Sequence, residues 1–171
     1  MKTLFSMTAA AGVLAGAAFA YPEGAPWGAD DLNGAQSCVT CHFDFEAEEN
    51  STFVSLDGLP ETVEPDETYK LTLHFAPSGA EIAGFLLSAS AGVFHHAKKG
   101  TEANEQDVRS TAPLPAKEGV SWTVTWTAPE DVDDDADSEI IFYAAVNGAN
   151  NDMSSFGDRV YFRTFVVQLS D

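Results

Sequence analysis

The ten residues VSWTVTWTAP, Val120–Pro129, decide the fold class of this chain. Trp122, Val124 and Trp126 alternate with threonines, so the large apolar side chains would share one face and the hydroxyls the other. A period of two residues is that of a half-buried β-strand, and Pro129 ends the pattern. The stretch therefore predicts a strand with one face in a hydrophobic core.

The same period recurs on both sides of this strand. Residues 69–75, YKLTLHF, alternate in the same way, and a weaker strand is expected at 105–110. Clusters of Pro, Gly, Asn and Asp separate the segments and predict turns. About seven short strands joined by polar loops predict an all-β protein, an antiparallel immunoglobulin-like β-sandwich. The other expected strands are FVSLDGL at 53–59, IAGFLLSAS at 82–90, EIIFYAAV at 139–146 and RVYFRTFVVQL at 159–169.

The first twenty residues have the pattern of a secretory signal peptide. Lys2 precedes an apolar run from Leu4 to Phe19, and Ala18 to Ala20 forms the small-x-small pattern of a signal peptidase site. An uncleaved anchor is the alternative, but the run is short for a membrane span. We therefore expect a signal peptide at 1–20, its cleavage, and export to the periplasm or the extracellular space.

The protein is strongly acidic. The chain has 8 Lys and Arg against 27 Asp and Glu, and loss of Lys2 with the signal would leave a formal charge of −20. Such a surface repels nucleic acid and anionic lipid, so we expect no nucleic-acid partner. No later run of the sequence is apolar for long enough to cross a bilayer, so we expect no membrane span after cleavage of the signal. A protein partner would carry a basic patch, although solubility alone also accounts for the charge.

Both cysteines lie in SCVTCHFD, residues 37–44. Cys38, Cys41 and His42 form the pattern CxxCH, which is the attachment signature of haem c. The two thiolates add across the vinyl groups of the porphyrin, and the histidine becomes the proximal iron ligand. A disulfide, a zinc half-site and a redox pair are the alternatives, but no further zinc ligands and no strand-to-helix context are visible. We therefore expect one covalent haem c.

Four residues are candidates for the distal side of the iron: His74, His95, His96 and Met153. If consecutive strands run antiparallel from the CxxCH segment, His74 and Met153 lie at the same end of the sandwich as the haem. The pair His95 and His96 then lies at the far end. We expect His74 as the distal ligand, with Met153 next and the pair last. In the plainer interpretation all four are solvated surface residues, and the iron is five-coordinate or bound to a remote group.

Several blocks of the sequence carry a resemblance: GAP and SCVTCH, then GLP, AGFLLSASAG, WTVTWTAP, IIFYAAVNGANND and SFGD. In these blocks, from about Gly24 to Arg163, the chain resembles the bacterial Reeler-like family, also called choice-of-anchor V domains. The resemblance implies an exported immunoglobulin-like β-sandwich with a CxxCH element at its front. Ser110-Thr111 stands where family members commonly have His-Thr, which leaves that family ligand without a counterpart. Many members also continue into a C-terminal anchor. This sequence shows no such anchor, so we expect a free protein.

The run EDVDDDADSE, Glu130–Glu139, has seven carboxylates in ten residues. It lacks the spaced ligands of an EF-hand loop, so we expect a solvated loop, with calcium binding as the alternative. No nucleophile–base arrangement is recognisable, and no Gly-x-Ser-x-Gly stands at a strand-to-helix turn. The sequence thus favours an electron carrier over a catalyst.

These features predict a signal peptide at 1–20, a haem c attachment segment at 21–50 and a β-sandwich domain at 51–171. The expected function is one-electron transfer by an exported monohaem c-type cytochrome, with a redox partner protein that carries a basic patch. The alternative is a haem-bearing binding or gas-sensing interaction module of the cell envelope, with an open iron position.

Overall fold

The computed structural model describes residues 24–27, 38–77, 79–95, 100–131 and 138–170, and the strands of these ranges form two packed β-sheets. The strands are β1 Val54–Asp57, β2 Thr62–Val63, β3 Thr68–Phe75, β4 Ile82–Ala89, β5 Val93–His95, β6 Thr101–Ala103, β7 Asp107–Ser110, β8 Leu114–Pro115, β9 Val120–Thr127, β10 Glu139–Ala149 and β11 Arg159–Leu169. The smaller sheet has the order β1-β3-β9-β5. The larger sheet has the order β2-β11-β10-β4-β7-β6, and β8 pairs with β4.

Within the described ranges every strand pair is antiparallel except β2 with β11. This architecture confirms the predicted all-β antiparallel sandwich. Each of the seven expected strands is present, as β1, β3, β4, β7, β9, β10 and β11. The four strands that the sequence did not predict have only two or three residues, which is too short for an alternating pattern to show.

One hydrophobic core lies between the two sheets. Trp122, Val124 and Trp126 of β9 are buried in it, while the threonines between them are partly exposed on the other face. Phe142 of β10 meets the ring of Trp126 edge to face, with centroids 4.9 Å apart. Phe85 of β4 packs on Trp122 at 4.8 Å. The strand predicted from VSWTVTWTAP is therefore confirmed, with its apolar face against the larger sheet.

Residues 38–50, which we call the CxxCH segment, lie against one end of the sandwich. Glu48 pairs with Tyr161 in an isolated parallel bridge, and the amide of Ser51 donates to the carbonyl of Phe162 at 3.0 Å. The ring of Phe75, at the end of β3, meets that of Tyr161 at 4.9 Å. The CxxCH segment, the beginning of β11 and the end of β3 therefore share this end.

The outer face of the larger sheet is also covered. Leu86 and Ala145 alternate with core residues of β4 and β10, so they project away from the core, yet both are buried. Arg109 lies on the same face, 4.1 Å from the ring of Trp27, and donates to the carbonyl of Ala25. Residues 24–27 therefore pack on this face of the larger sheet.

Candidate functional site

The residues Cys38 to His42 form one helical turn. The amide of His42 donates to the carbonyl of Cys38 at 3.1 Å, and the amide of Cys41 contacts the same oxygen at 3.3 Å. Residues three and four apart lie on one side of a helical turn, with Cβ atoms roughly 5–6 Å apart. The two cysteines are not joined by a disulfide. The turn therefore places both sulfur atoms and the imidazole on one side, as attachment along one porphyrin edge requires.

A buried carboxylate orients the ring of His42. Nδ1 of His42 lies 2.9 Å from Oδ2 of Asp158, which is only 2 % exposed. A carboxylate accepts hydrogen bonds and donates none, so Nδ1 of the neutral ring carries the hydrogen. The lone pair is then on Nε2, which is the arrangement of most metal-binding histidines. In the neutral ring this contact therefore favours the tautomer in which Nε2 is available to a metal.

Three buried polar atoms, one on β10 and two in the loop that follows it, have no hydrogen-bond partner among the described residues. They are Oδ1 of Asp158, Oδ1 of Asn147 and Oγ of Ser155. Nδ2 of Asn147 donates to Oδ2 of Asp158 at 3.2 Å, so His42, Asp158 and Asn147 form one cluster of contacts. Unsatisfied buried groups are rare, and each calls for a structural or functional explanation. Their occurrence here marks the CxxCH end as the candidate site.

The loop between β10 and β11, residues 150–158, holds the CxxCH segment in place. The amide of Gly157 donates to Oδ2 of Asp44 at 2.7 Å. The rings of Phe43 and Phe156 meet edge to face with centroids 5.5 Å apart. These contacts join the residues that directly follow the CxxCH motif to the loop that supplies Asp158.

Hydrogen bonds within the β10–β11 loop give it a defined shape. Oδ1 of Asp152 accepts from the amide and the hydroxyl of Ser154, at 2.9 and 2.7 Å, and these bonds lower the pKa of Asp152. Nδ2 of Asn150 donates to the carbonyl of Phe156 at 3.0 Å. These hydrogen bonds therefore stabilise the conformation of the loop that supplies Asp158.

Large apolar side chains are exposed around the candidate site. Phe43 is 52 % exposed and Phe156 54 %, although their rings touch, and Phe45 and Phe53 are also exposed. Met153, on the same loop as Phe156, is 99 % exposed. Grouped exposed apolar side chains usually mark a binding surface. A flat apolar ring held by the CxxCH motif would cover such side chains, so the residues present fit a haem.

The structure does not bring His74 and His42 together. His74 projects from the outer face of the smaller sheet, where Nδ1 lies 2.7 Å from Oγ of Ser121 and Nε2 3.2 Å from Oδ2 of Asp57. His42 contacts Asp158 beside the first residue of β11, in the larger sheet. The core of the sandwich separates these two positions. The role of His74 as distal ligand stays a prediction.

The other distal candidates have different positions. Met153 lies on the β10–β11 loop, five residues before Asp158, and has a φ of 64°. His95 lies on β5, where Nε2 is 2.7 Å from Oγ1 of Thr127, at the end of β9 away from the CxxCH segment. His96 lies outside the described residues. Of the candidates whose positions are described, Met153 is therefore the one on the loop that contacts the CxxCH segment.

Sequence reasoning missed Asp158 and Asn147 as site residues. Asp158 stands 116 residues after His42, and an acid in a loop carries no local signal of such a contact. The block SFGD, which includes Asp158, contributed to the family resemblance but had no role assigned. A metal-binding histidine usually donates its second ring nitrogen to an acceptor, so the CxxCH motif itself indicates that His42 needs an acceptor elsewhere in the chain.

Other expectations fall partly or wholly outside the described residues. The signal peptide at 1–20 does so, as do residues 132–137 of the acidic run. In the parts of the chain that the structure describes, no group of three or more His, Cys, Asp and Glu is arranged to hold a metal ion. Those parts also contain no helix with the length and apolar character that crossing a membrane requires.

The fold is similar to that of solved reeler domains. The Reelin-N domain of F-spondin matches with a TM-score of 0.55 and 20 % identity, over 78 % of this chain and 98 % of that chain. The reeler domain of human F-spondin matches with a TM-score of 0.51 and 19 % identity, over 72 % and 94 %. At such identity the likeness shows the fold alone, a Reeler-like β-sandwich. No protein-family model matches the chain, and no curated protein gives a significant match.

Proposed function

We propose that this chain carries one covalent haem c at the end of its β-sandwich and transfers single electrons. The observation that carries the proposal is the contact between Nδ1 of His42 and the buried Asp158. His42 follows Cys38 and Cys41 in the same helical turn. A histidine without a metal role does not require this tautomer. When bound, haem c supplies a one-electron iron couple.

Each residue of the motif then has a distinct task. Cys38 and Cys41 would hold the porphyrin through thioether bonds, and Nε2 of His42 would bind the iron. Phe43 and Phe156 would exclude water from the apolar ring, since both side chains are exposed at this end.

The setting of this proposal is an exported protein with a charged partner. The signal pattern at 1–20 supports export, and the large excess of acidic residues supports a redox partner with a basic patch. Attraction between opposite charges would raise the association rate and would weaken as ionic strength rises.

A second candidate function is a haem-bearing module that binds a small gas or another ligand. It is favoured by the position of His74, whose two ring nitrogens contact Ser121 and Asp57 on the smaller sheet. These contacts hold His74 away from His42, which would leave the distal position of the iron without this histidine. If no side chain takes the distal position, the iron is open to an external ligand. An open iron suits gas binding better than outer-sphere electron transfer.

The experiment that tests the proposal is expression with a haem c maturation system. We expect a denaturing gel to show haem on the polypeptide, and the intact mass to exceed that of the bare chain by one haem. The double variant Cys38→Ser with Cys41→Ser is the matched control and should show neither. A bare wild-type polypeptide would overturn the proposal. Reduced spectra with and without carbon monoxide then separate the two functions, because only an open iron binds the gas promptly.

A further inference from the structure

We infer that Asp158 is a positioning residue that lowers the reduction potential of the iron bound by His42. This inference rests on the proposed function, since it concerns the ligand of the haem. A ring nitrogen that donates to a carboxylate makes the opposite nitrogen a stronger donor to its metal. A stronger donor stabilises the oxidised, more positive iron over the reduced iron, so the potential falls.

The surroundings of Asp158 make its charge effective. The side chain is 3 % exposed, and its two hydrogen-bond contacts, with His42 and Asn147, are to a ring nitrogen and a neutral amide. Among the described residues no Lys or Arg nitrogen lies within 4.0 Å of its oxygens. A buried carboxylate without a cationic partner is costly, and its field is poorly screened. The positive charge of oxidised iron, transmitted through the imidazole, would compensate it.

The fold builds this contact from two strands of the larger sheet. Asp158 directly precedes β11, and Asn147 lies on β10 opposite Val160 of β11. The amide of Asn147 therefore fixes the Oδ2 atom that His42 meets. Because paired strands form a rigid base, the carboxylate can set the rotation and the tautomer of the ring without touching the iron.

The test compares Asp158→Asn with Asp44→Asn in the haem-loaded protein. Both variants remove one negative charge near His42, and both keep an oxygen that can accept a hydrogen bond. Only Asp158 contacts the ring, because Asp44 accepts from the amide of Gly157. We expect spectroelectrochemical titration at fixed pH and ionic strength to show a higher potential for Asp158→Asn, and a clearly smaller rise for Asp44→Asn. Equal shifts in the two variants, or no shift in Asp158→Asn, would overturn the inference.

A second measurement does not depend on the haem. In the variant Cys38→Ser with Cys41→Ser, nitrogen NMR of the neutral His42 ring should show the hydrogen on Nδ1, and further replacement Asp158→Ala should shift the population to Nε2–H. Far-UV circular dichroism checks that each variant keeps its sheets. Haem staining separates the two possible failures: a wild-type chain without haem sinks the proposed function, whereas haem with an unchanged tautomer and potential sinks only the role of Asp158.

Discussion

Replacing each buried tryptophan of β9 by phenylalanine tests the described core in detail. Both side chains are buried, but their indole nitrogens differ. Nε1 of Trp126 donates to the carbonyl of Ala91 at 3.2 Å. Nε1 of Trp122 is buried and has no partner among the described residues. The same chemical change should therefore have different effects at the two positions.

The expected difference follows from the hydrogen bond alone. Both replacements remove the same part of the indole, so the loss of buried apolar surface is similar at the two positions. Trp126→Phe also loses one net hydrogen bond of about 1 kcal/mol, whereas Trp122→Phe removes an unsatisfied buried donor that costs at least about 1 kcal/mol. Trp126→Phe should therefore lower the free energy of unfolding by roughly 2 kcal/mol more than Trp122→Phe.

Urea unfolding followed by far-UV circular dichroism measures this difference. With a slope of about 2 kcal/mol per molar urea, the midpoints of the two variants should lie about 1 M apart. Thr125→Ala, on the opposite face of β9, is the control and should change the midpoint much less. Equal midpoints for Trp122→Phe and Trp126→Phe, or a lower midpoint for Trp122→Phe, would contradict the hydrogen bonding described for the two indole nitrogens. Truncation of either tryptophan to alanine should cost roughly 3–5 kcal/mol.

Three further predictions concern the turns, the pH dependence and the iron. Gly92→Ala should destabilise the protein by roughly 2–4 kcal/mol in the same assay, because its φ is 80° and a Cβ would meet the ring of Trp126 at 2.6 Å; an unchanged midpoint contradicts this. Burial raises the pKa of Tyr161 above 10.0, so the stability it contributes at lower pH is lost as pH rises through that raised value. Tyr161→Phe should flatten the decline of unfolding free energy with pH above about 10, and an equal decline argues against it. If His74 is the distal ligand, His74→Ala should turn a low-spin spectrum high-spin, and if Met153 is, Met153→Ala should do so instead; a low-spin spectrum in both variants excludes both residues.

Local patterns in the sequence were sufficient for much of the fold. The alternation around Trp122 and Trp126 identified a strand and its buried face, because a β-strand repeats every two residues wherever it is placed. The order of long strands and turns was enough to favour an antiparallel sandwich. The CxxCH motif could likewise be recognised from local sequence, since one helical turn is enough to bring the side chains of Cys38, Cys41 and His42 to the same side.

Contacts between distant parts of the chain depend on how the two sheets and their loops pack together. Strand parity predicted His74 at the CxxCH end, but parity along the chain does not determine on which face of the sandwich a residue lies. His74 lies on the outer face of the smaller sheet, paired with Ser121 of β9. The docking of residues 38–50 onto the larger sheet decides which residues meet this segment, and it depends on loop contacts without a period. The same docking brings Asp158 to His42 across 116 residues, because paired β10 and β11 hold the acid where the helical turn packs. A sequence specifies such a contact only through the whole fold, and for that reason no local pattern revealed it.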